Sequence, residues 1–141
     1  MYIMDKEQIL TINELFYKAL GTRDLELMKE IWVQDERAGC VHPGWTILRS
    51  WENIFQSWEN VFDPRDQVDI NLSHINLSIN KTHAWLTCVQ EMVYIKREPS
   101  TFNLSQSTNV FEKNENGWLM ILHHASPIPI DNYRVKDNNL Q

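Results

Sequence analysis

The side chains best suited to moving a proton near neutral pH in this sequence are its five histidines, and His42 stands apart because Pro43 follows it. A residue before proline is held extended, so a short segment there can aim an imidazole that titrates near neutrality. The chemistry this suits is that of a general base or a substrate-orienting donor; a histidine that bonds a nearby carbonyl and shapes the turn fits the same residues. His123 and His124 are adjacent, so on a strand one faces inward and the other outward. Alternation along Trp118 to Ser126 places His124 with Met120 and Leu122, and register decides which imidazole points in. Glu91 shares a face with Val89 and Val93, and a carboxylate on an apolar face has a raised pKa unless a cation pairs with it. If that face is concave, Glu91 beside His42 or His124 makes an acid-base pair; if it is the outer face, Glu91 is an interface or solvated residue. Asp35 follows Trp32 and can orient a histidine or simply turn the chain. His42, His124, Glu91 and Asp35 are the candidate catalytic residues. The four are also chemically acceptable metal ligands, but no His-x-x-x-His or equivalent spacing supports a metal, and no cofactor is implied.

Six tryptophans form the second group with chemical meaning. A buried indole must place its N–H on an acceptor, and most of the six are expected in the core. The candidates for a ligand-binding wall are Trp32, Trp45, Phe55, Trp58 and Phe111, with Thr108 and Asn109 as polar contacts. Flat rings of this kind suit a small hydrophobic or planar ligand.

Those residues need elements to position them. Ile9, Ile12, Phe16 and Ala19–Leu20 form one helical stripe over Asp5 to Leu20, with Asp5 and Gln8 spaced as a capping box and Gly21 as a stop. Asp24 is the expected cap of a second helix carrying Leu25, Met28, Ile31 and Trp32 inward. Helical spacing then lapses, and Cys40 to Trp45 reads as a short extended piece broken by Pro43 and Gly44. Ser50 is the expected cap of a third helix with a strongly aromatic face, which Pro64 ends. Beyond it the period becomes two. Val68, Ile70 and Leu72 share one phase and Ile75, Leu77 and Ile79 the other, which predicts a bulge near Ser73–His74. The runs Ala84 to Lys96, Asn103 to Lys113 and Trp118 to Ser126 predict further strands, with Asn116–Gly117 as a hairpin turn. Three helices followed by hairpin-linked strands predict an α+β fold, with the helices packed on one face of a strongly curved antiparallel sheet.

Bulk properties narrow the function classes. At 141 residues one hydrophobic core is expected, over residues 1–130, with 131–141 as a polar C-terminal tail. A net charge of -6 and the lack of a basic, aromatic stretch argue against nucleic-acid binding. Asp5, Lys6 and Glu7 interrupt the start, and no apolar run approaches the ~20 residues of a membrane span, so a cytoplasmic protein without membrane partners is expected. Cys40 and Cys88 are far apart and fit no Cys-x-x-Cys pattern, so buried thiols are expected.

Three local patterns together resemble the SnoaL-like and ketosteroid-isomerase-like branch of the nuclear-transport-factor-2-like superfamily. They are Ala19–Leu20 with Asp24–Leu25 and Trp32, then His42-Pro43-Gly44-Trp45, then Asn116-Gly117-Trp118 leading into His123-His124-Ala125-Ser126-Pro127. The resemblance implies a cone-shaped, cystatin-like barrel around an apolar pocket, and frequent homodimers through the outer sheet face. Its functions run from isomerases and cyclases to catalytically silent binding modules. The isomerase residues of the family, a carboxylate base before a proline, a first-helix tyrosine and a carboxylic acid in a long strand, fall on His42, Phe16 and Asn109. None keeps the isomerase residue, so classical steroid isomerisation is not implied. Two readings stay open. One is a small-molecule site, with acid-base chemistry of the isomerase, dehydratase or cyclase type at His42. The other is a non-catalytic homodimeric association or sensing module, whose pocket tryptophans would fill.

Overall fold

The computed structural model describes residues 2–130; the proposed tail 131–141 lies outside the described residues. The chain runs α1 (Tyr2–Thr22), α2 (Leu25–Ile31), β1 (Gly39–Val41), β2 (Leu48–Arg49), α3 (Trp51–Val61), β3 (Val68–Ile79), β4 (His83–Tyr94), β5 (Thr101–Asn114) and β6 (Gly117–Pro127). The fold is α+β, with three helices on a curved six-stranded sheet of order β2-β1-β6-β5-β4-β3. Strands β3 to β6 are linked antiparallel neighbours, as the period-two runs predict. Two features go beyond that expectation. The segment before Pro43 is itself a strand, and β1 pairs parallel to β6, so the sheet is mixed. Its edges, β2 and β3, do not pair with each other, so the cone is open rather than a closed barrel.

Helix ends differ from the sequence reading in ways that bear on the site. Helix α1 begins before Asp5, so Asp5 does not cap it; its carboxylate instead accepts from Trp118 Nε1 and Lys113 Nζ, each at 3.1 Å. Gly21 lies inside α1, where an added Cβ would stand 3.2 Å from the Val68 carbonyl, so its role is close approach of helix to strand. The left-handed residue that stops α1 is Arg23, φ 60°, and the Asp24 amide closes the end on the Ala19 carbonyl at 2.9 Å. Asp24 then caps α2 as expected, accepting from the Leu27 amide at 3.0 Å. Ser50 precedes α3 with φ 74° but makes no side-chain cap.

The predicted bulge in β3 is present between Ser73 and Asn76, with His74 at φ 55°. A second irregularity, in β6, was not predicted. Met120 pairs with Phe111 and Leu122 with Val110, so Ile121 is an extra residue. It reverses the alternation of every residue after it. The core gathers Ile9, Phe16, Met28, Ile31, Trp32, Ile54, Trp58, Leu86, Phe111 and Met120 between the helices and the inner sheet face.

Candidate functional site

A cavity of about 580 Å³ opens at the end of the cone where α1 turns into α2. Leu20 and Arg23 from that turn, His42, Pro43 and Trp45 from the segment after β1, and Trp58 and Val61 from α3 form one side. Gln90, Met92 and Tyr94 of β4, Ser105 of β5 and His123 of β6 form the other. The tryptophans therefore do not fill the space.

His42 is where the sequence reading placed it. Strand β1 runs beside β6, pairing Cys40 with His123, and delivers His42 to the cavity wall. Gly44, with φ 83°, then turns the chain so that the Trp45 amide bonds the His42 carbonyl at 2.9 Å. The imidazole is 95% buried, edge-on to Trp58 at 4.5 Å and to Trp45 at 4.7 Å. Ser57 Oγ donates to the Ile54 carbonyl at 2.6 Å, so the proton in the 2.8 Å contact with His42 comes from His42 Nε2. His42 is thus the Nε2–H tautomer, and its Nδ1 has no hydrogen bond among the described residues. Burial pushes this imidazole down to about 4, so it is neutral at pH 7.

The β6 bulge gives the second histidine position to His123, not His124. His124 is exposed on the outer face, while His123 is fully buried and lines the cavity. A polar network fixes its ring. Asn109 Nδ2 donates to Asn13 Oδ1 at 2.9 Å and to the Tyr17 hydroxyl at 3.1 Å, so Asn109 Oδ1 receives the His123 Nδ1 proton at 2.6 Å. Burial first, then the neighbouring His42 and His124, pushes His123 down to about 3. Below it Ser107 Oγ donates to Gln90 Oε1 at 2.7 Å. Burial raises the Tyr17 hydroxyl far above its ordinary value, so it serves the network as a neutral group.

The remaining candidates separate from the cavity. Glu91 is on the outer face, accepting from Asn71 Nδ2 at 3.2 Å. Asp35 holds Arg37, whose guanidinium also reaches Glu112 at 2.8 Å, and Arg37 keeps the Asp35 carboxyl below its usual range. Neither carboxylate approaches an imidazole of the cavity, so the expected acid-base pair is absent among the described residues. The four catalytic candidates do not converge, and among the described residues no group of three or more His, Cys, Asp or Glu could hold a metal. Trp32 is core, with Nε1 on Met28 Sδ at 3.3 Å. Phe55 packs outside α3 on Trp51 and under Lys29. Thr108 pairs with Thr87 on the outer face, Phe111 is core, and Asn109 acts behind the wall through His123. Trp45 and Trp58 do line the cavity, Trp45 at its half-exposed rim.

Sequence reasoning missed Arg23, Gln90, Ser105 and Tyr17. Tyr17 carries the first-helix hydroxyl that the resemblance placed at Phe16, one position earlier in the same helix, and it accepts from Asn109 Nδ2. Gln90 and Ser105 follow from inward phase once β4 and β5 are in register, since the two pair directly.

A family model for the SnoaL-like domain matches residues 9–131. The chain belongs to the SnoaL-like domain family. Its fold is cystatin-like, as in other members of the wider superfamily. It is 25% identical over 134 residues to F-box protein SKIP8 of Arabidopsis thaliana, covering 95% of this chain and 55% of that one, so it spans about half the length of that relative. Among solved structures it is similar to a proposed dehydratase of the nuclear-transport-factor-2-like family from Streptomyces avermitilis, with TM-score 0.79, 26% identity, and 89% and 97% of the two chains covered. It is also similar to a proposed calcium/calmodulin-dependent protein kinase type II association domain from Thiobacillus denitrificans, with TM-score 0.72, 26% identity, and coverage of 84% and 93%. No helix among the described residues is long and apolar enough to cross a membrane.

Proposed function

We propose that this SnoaL-like domain binds a small, largely apolar molecule in the cavity between α3 and the inner sheet face, with His42 and His123 orienting it. The observation that carries this reading is a space of about 580 Å³ left open beside two neutral imidazoles in an otherwise well-filled core. Such a volume falls in the range of small-molecule sites, roughly 300–1,000 Å³. Any chemistry would be proton transfer of the isomerase, dehydratase or cyclase type, with His42 Nδ1 receiving the proton; similarity to the Streptomyces protein supports that class. An imidazole at about 4 is a weak base at pH 7, so turnover depends on a ligand that favours imidazolium, whereas binding does not.

A neutral fluorescent probe, N-phenyl-1-naphthylamine, tests it. Saturable binding at one site per chain is expected, abolished in Ser105→Trp, which fills the cavity, provided that variant keeps its circular dichroism and cooperative melt. Absence of saturable binding by the wild-type chain would end the proposal.

A second reading, self-association through the outer sheet face, draws on the similarity to the association domain and on Trp85, about half exposed there. Sedimentation velocity distinguishes a dimer from a monomer, and Trp85→Lys should shift a dimer toward monomer without touching probe binding.

A further inference from the structure

Resting on the cavity reading above, we propose that Arg23 is an anion receptor and that the cavity takes a monocarboxylate with an apolar body. Two buried side-chain nitrogens lack a hydrogen-bond partner among the described residues, Arg23 Nε and Trp58 Nε1. Both residues line this cavity. They flank one ring, since Phe62 lies 5.4 Å from the Trp58 ring and 5.4 Å from the Arg23 guanidinium carbon. Both unmet groups are N–H donors, so the missing partner is an acceptor.

Charge narrows the acceptor to an anion. The chain carries 19 acidic side chains and a net charge of -6, yet none of the described residues lining the cavity is acidic and Arg23 is the one fixed charge among those described residues. Its side chain is only 9% exposed. Asp66 is the nearest countercharge, but it stands 3.8 Å from Arg23 Nη2, beyond hydrogen-bonding distance, while Arg97 holds both its oxygens at 3.4 and 3.2 Å. Arg23 Nη1 is used on the Leu20 carbonyl at 3.3 Å. Nε is left without a partner and Nη2 faces Asp66 only at ion-pair distance, and this Nε and Nη2 edge is one on which a guanidinium receives a carboxylate through two parallel bonds. A lysine could not offer that fork.

Backbone position agrees. Arg23 occupies a left-handed site, φ 60°, where glycine or asparagine is the unstrained choice, so a large side chain is kept there against the backbone preference. The aromatic faces of Phe62 and Tyr94, 5.4 and 6.0 Å away, hold the guanidinium at the wall. Leu20, Val61, Met92 and Pro127 give the lining an apolar part that suits the body of the ligand, beside the uncharged Gln90, Asn103 and Ser105.

The test compares acid and amide of the same shape, 1-naphthylacetate with 1-naphthylacetamide and octanoate with octanamide, by calorimetry and by displacement of N-phenyl-1-naphthylamine. In at least one pair the wild-type chain should bind the acid tenfold or more tighter than the amide. Arg23→Gln should bring the acid down to the amide's affinity while leaving the amide and the neutral probe unchanged, and Arg23→Lys should recover part of the loss. Equal affinity for acid and amide in both pairs, with the probe still bound, overturns the anion receptor and leaves the cavity reading standing. If neither probe nor acids bind, both proposals fall. Should the Arg23 variants not fold, the wild-type preference alone decides, since a purely structural arginine gives no preference for the acid.

Discussion

His42 and His123 are kept neutral by burial, and that has a thermodynamic consequence wherever the unfolded chain would protonate them. Their native values, about 4 and about 3, lie below the ordinary 6.5, so between 6.5 and those values the unfolded state binds protons that the native state refuses. Stability is therefore full above pH 6.5 and falls as pH drops through that window. At 1.4 kcal/mol per unit, each imidazole costs about 2 kcal/mol by pH 5. Denaturant titrations at pH 7 and pH 5 should show this drop, and His42→Phe should reduce its slope by about one proton. A pH slope unchanged in His42→Phe would mean that the ring is solvated. Arg23 sits at the same scale with the opposite history: its type announces nothing, because an arginine two residues after a glycine reads as a surface helix end. Only its left-handed backbone, with φ 60°, turns it to the cavity.

Elements carry the placement of those residues, and here the sequence was readable in part. The period-two runs predicted β3 to β6, and the phase change in β3 predicted its bulge because apolar residues mark both phases. The β6 bulge was hidden since Met120, Ile121 and Leu122 are all apolar, and alternation cannot be read through a run with no polar residue to mark the phase. That single residue exchanges His123 for His124. The extended piece at Cys40 was legible but its place in the sheet was not, for another reason: three residues are too few to show a period, and the pairing of β1 with β6 is a tertiary event. Glu91 followed from the same difficulty, since Val89 and Val93 are apolar on the outer face. Pro43 and Gly44, by contrast, were legible as a break, and their mechanical role yields a prediction. A Cβ at Gly44 meets no heavy atom within 4 Å, so Gly44→Ala suffers only the backbone penalty of φ 83°, about 1 kcal/mol. The midpoint of denaturation should fall with the slope unchanged, and Gly44→Asn should fall less because asparagine tolerates this conformation. Equal midpoints for glycine and alanine would show that the turn carrying His42 and Trp45 does not depend on that angle.

At the scale of the whole molecule, the cavity is bordered by α1, α3, the segment after β1, and strands β4 to β6, so it exists only when the helices are seated on the sheet. A ligand there binds the native chain and not the unfolded one, and ligand affinity must appear as stability. At one hundred times its dissociation constant a ligand adds about 2.7 kcal/mol. For 141 residues the unfolding entropy at the midpoint is roughly 0.3 kcal/mol per kelvin, so the melting temperature should rise by roughly 9 °C. The acid and amide pair makes this specific to Arg23. With 1-naphthylacetate at that concentration the wild-type chain should gain the full shift, and Arg23→Gln, binding tenfold more weakly, should gain about 1.4 kcal/mol, roughly 5 °C. The amide should give both proteins the same, smaller rise. A shift with the acid that is identical in the two proteins would place the carboxylate away from Arg23, because a group that distinguishes bound from free must distinguish folded from unfolded by the same free energy.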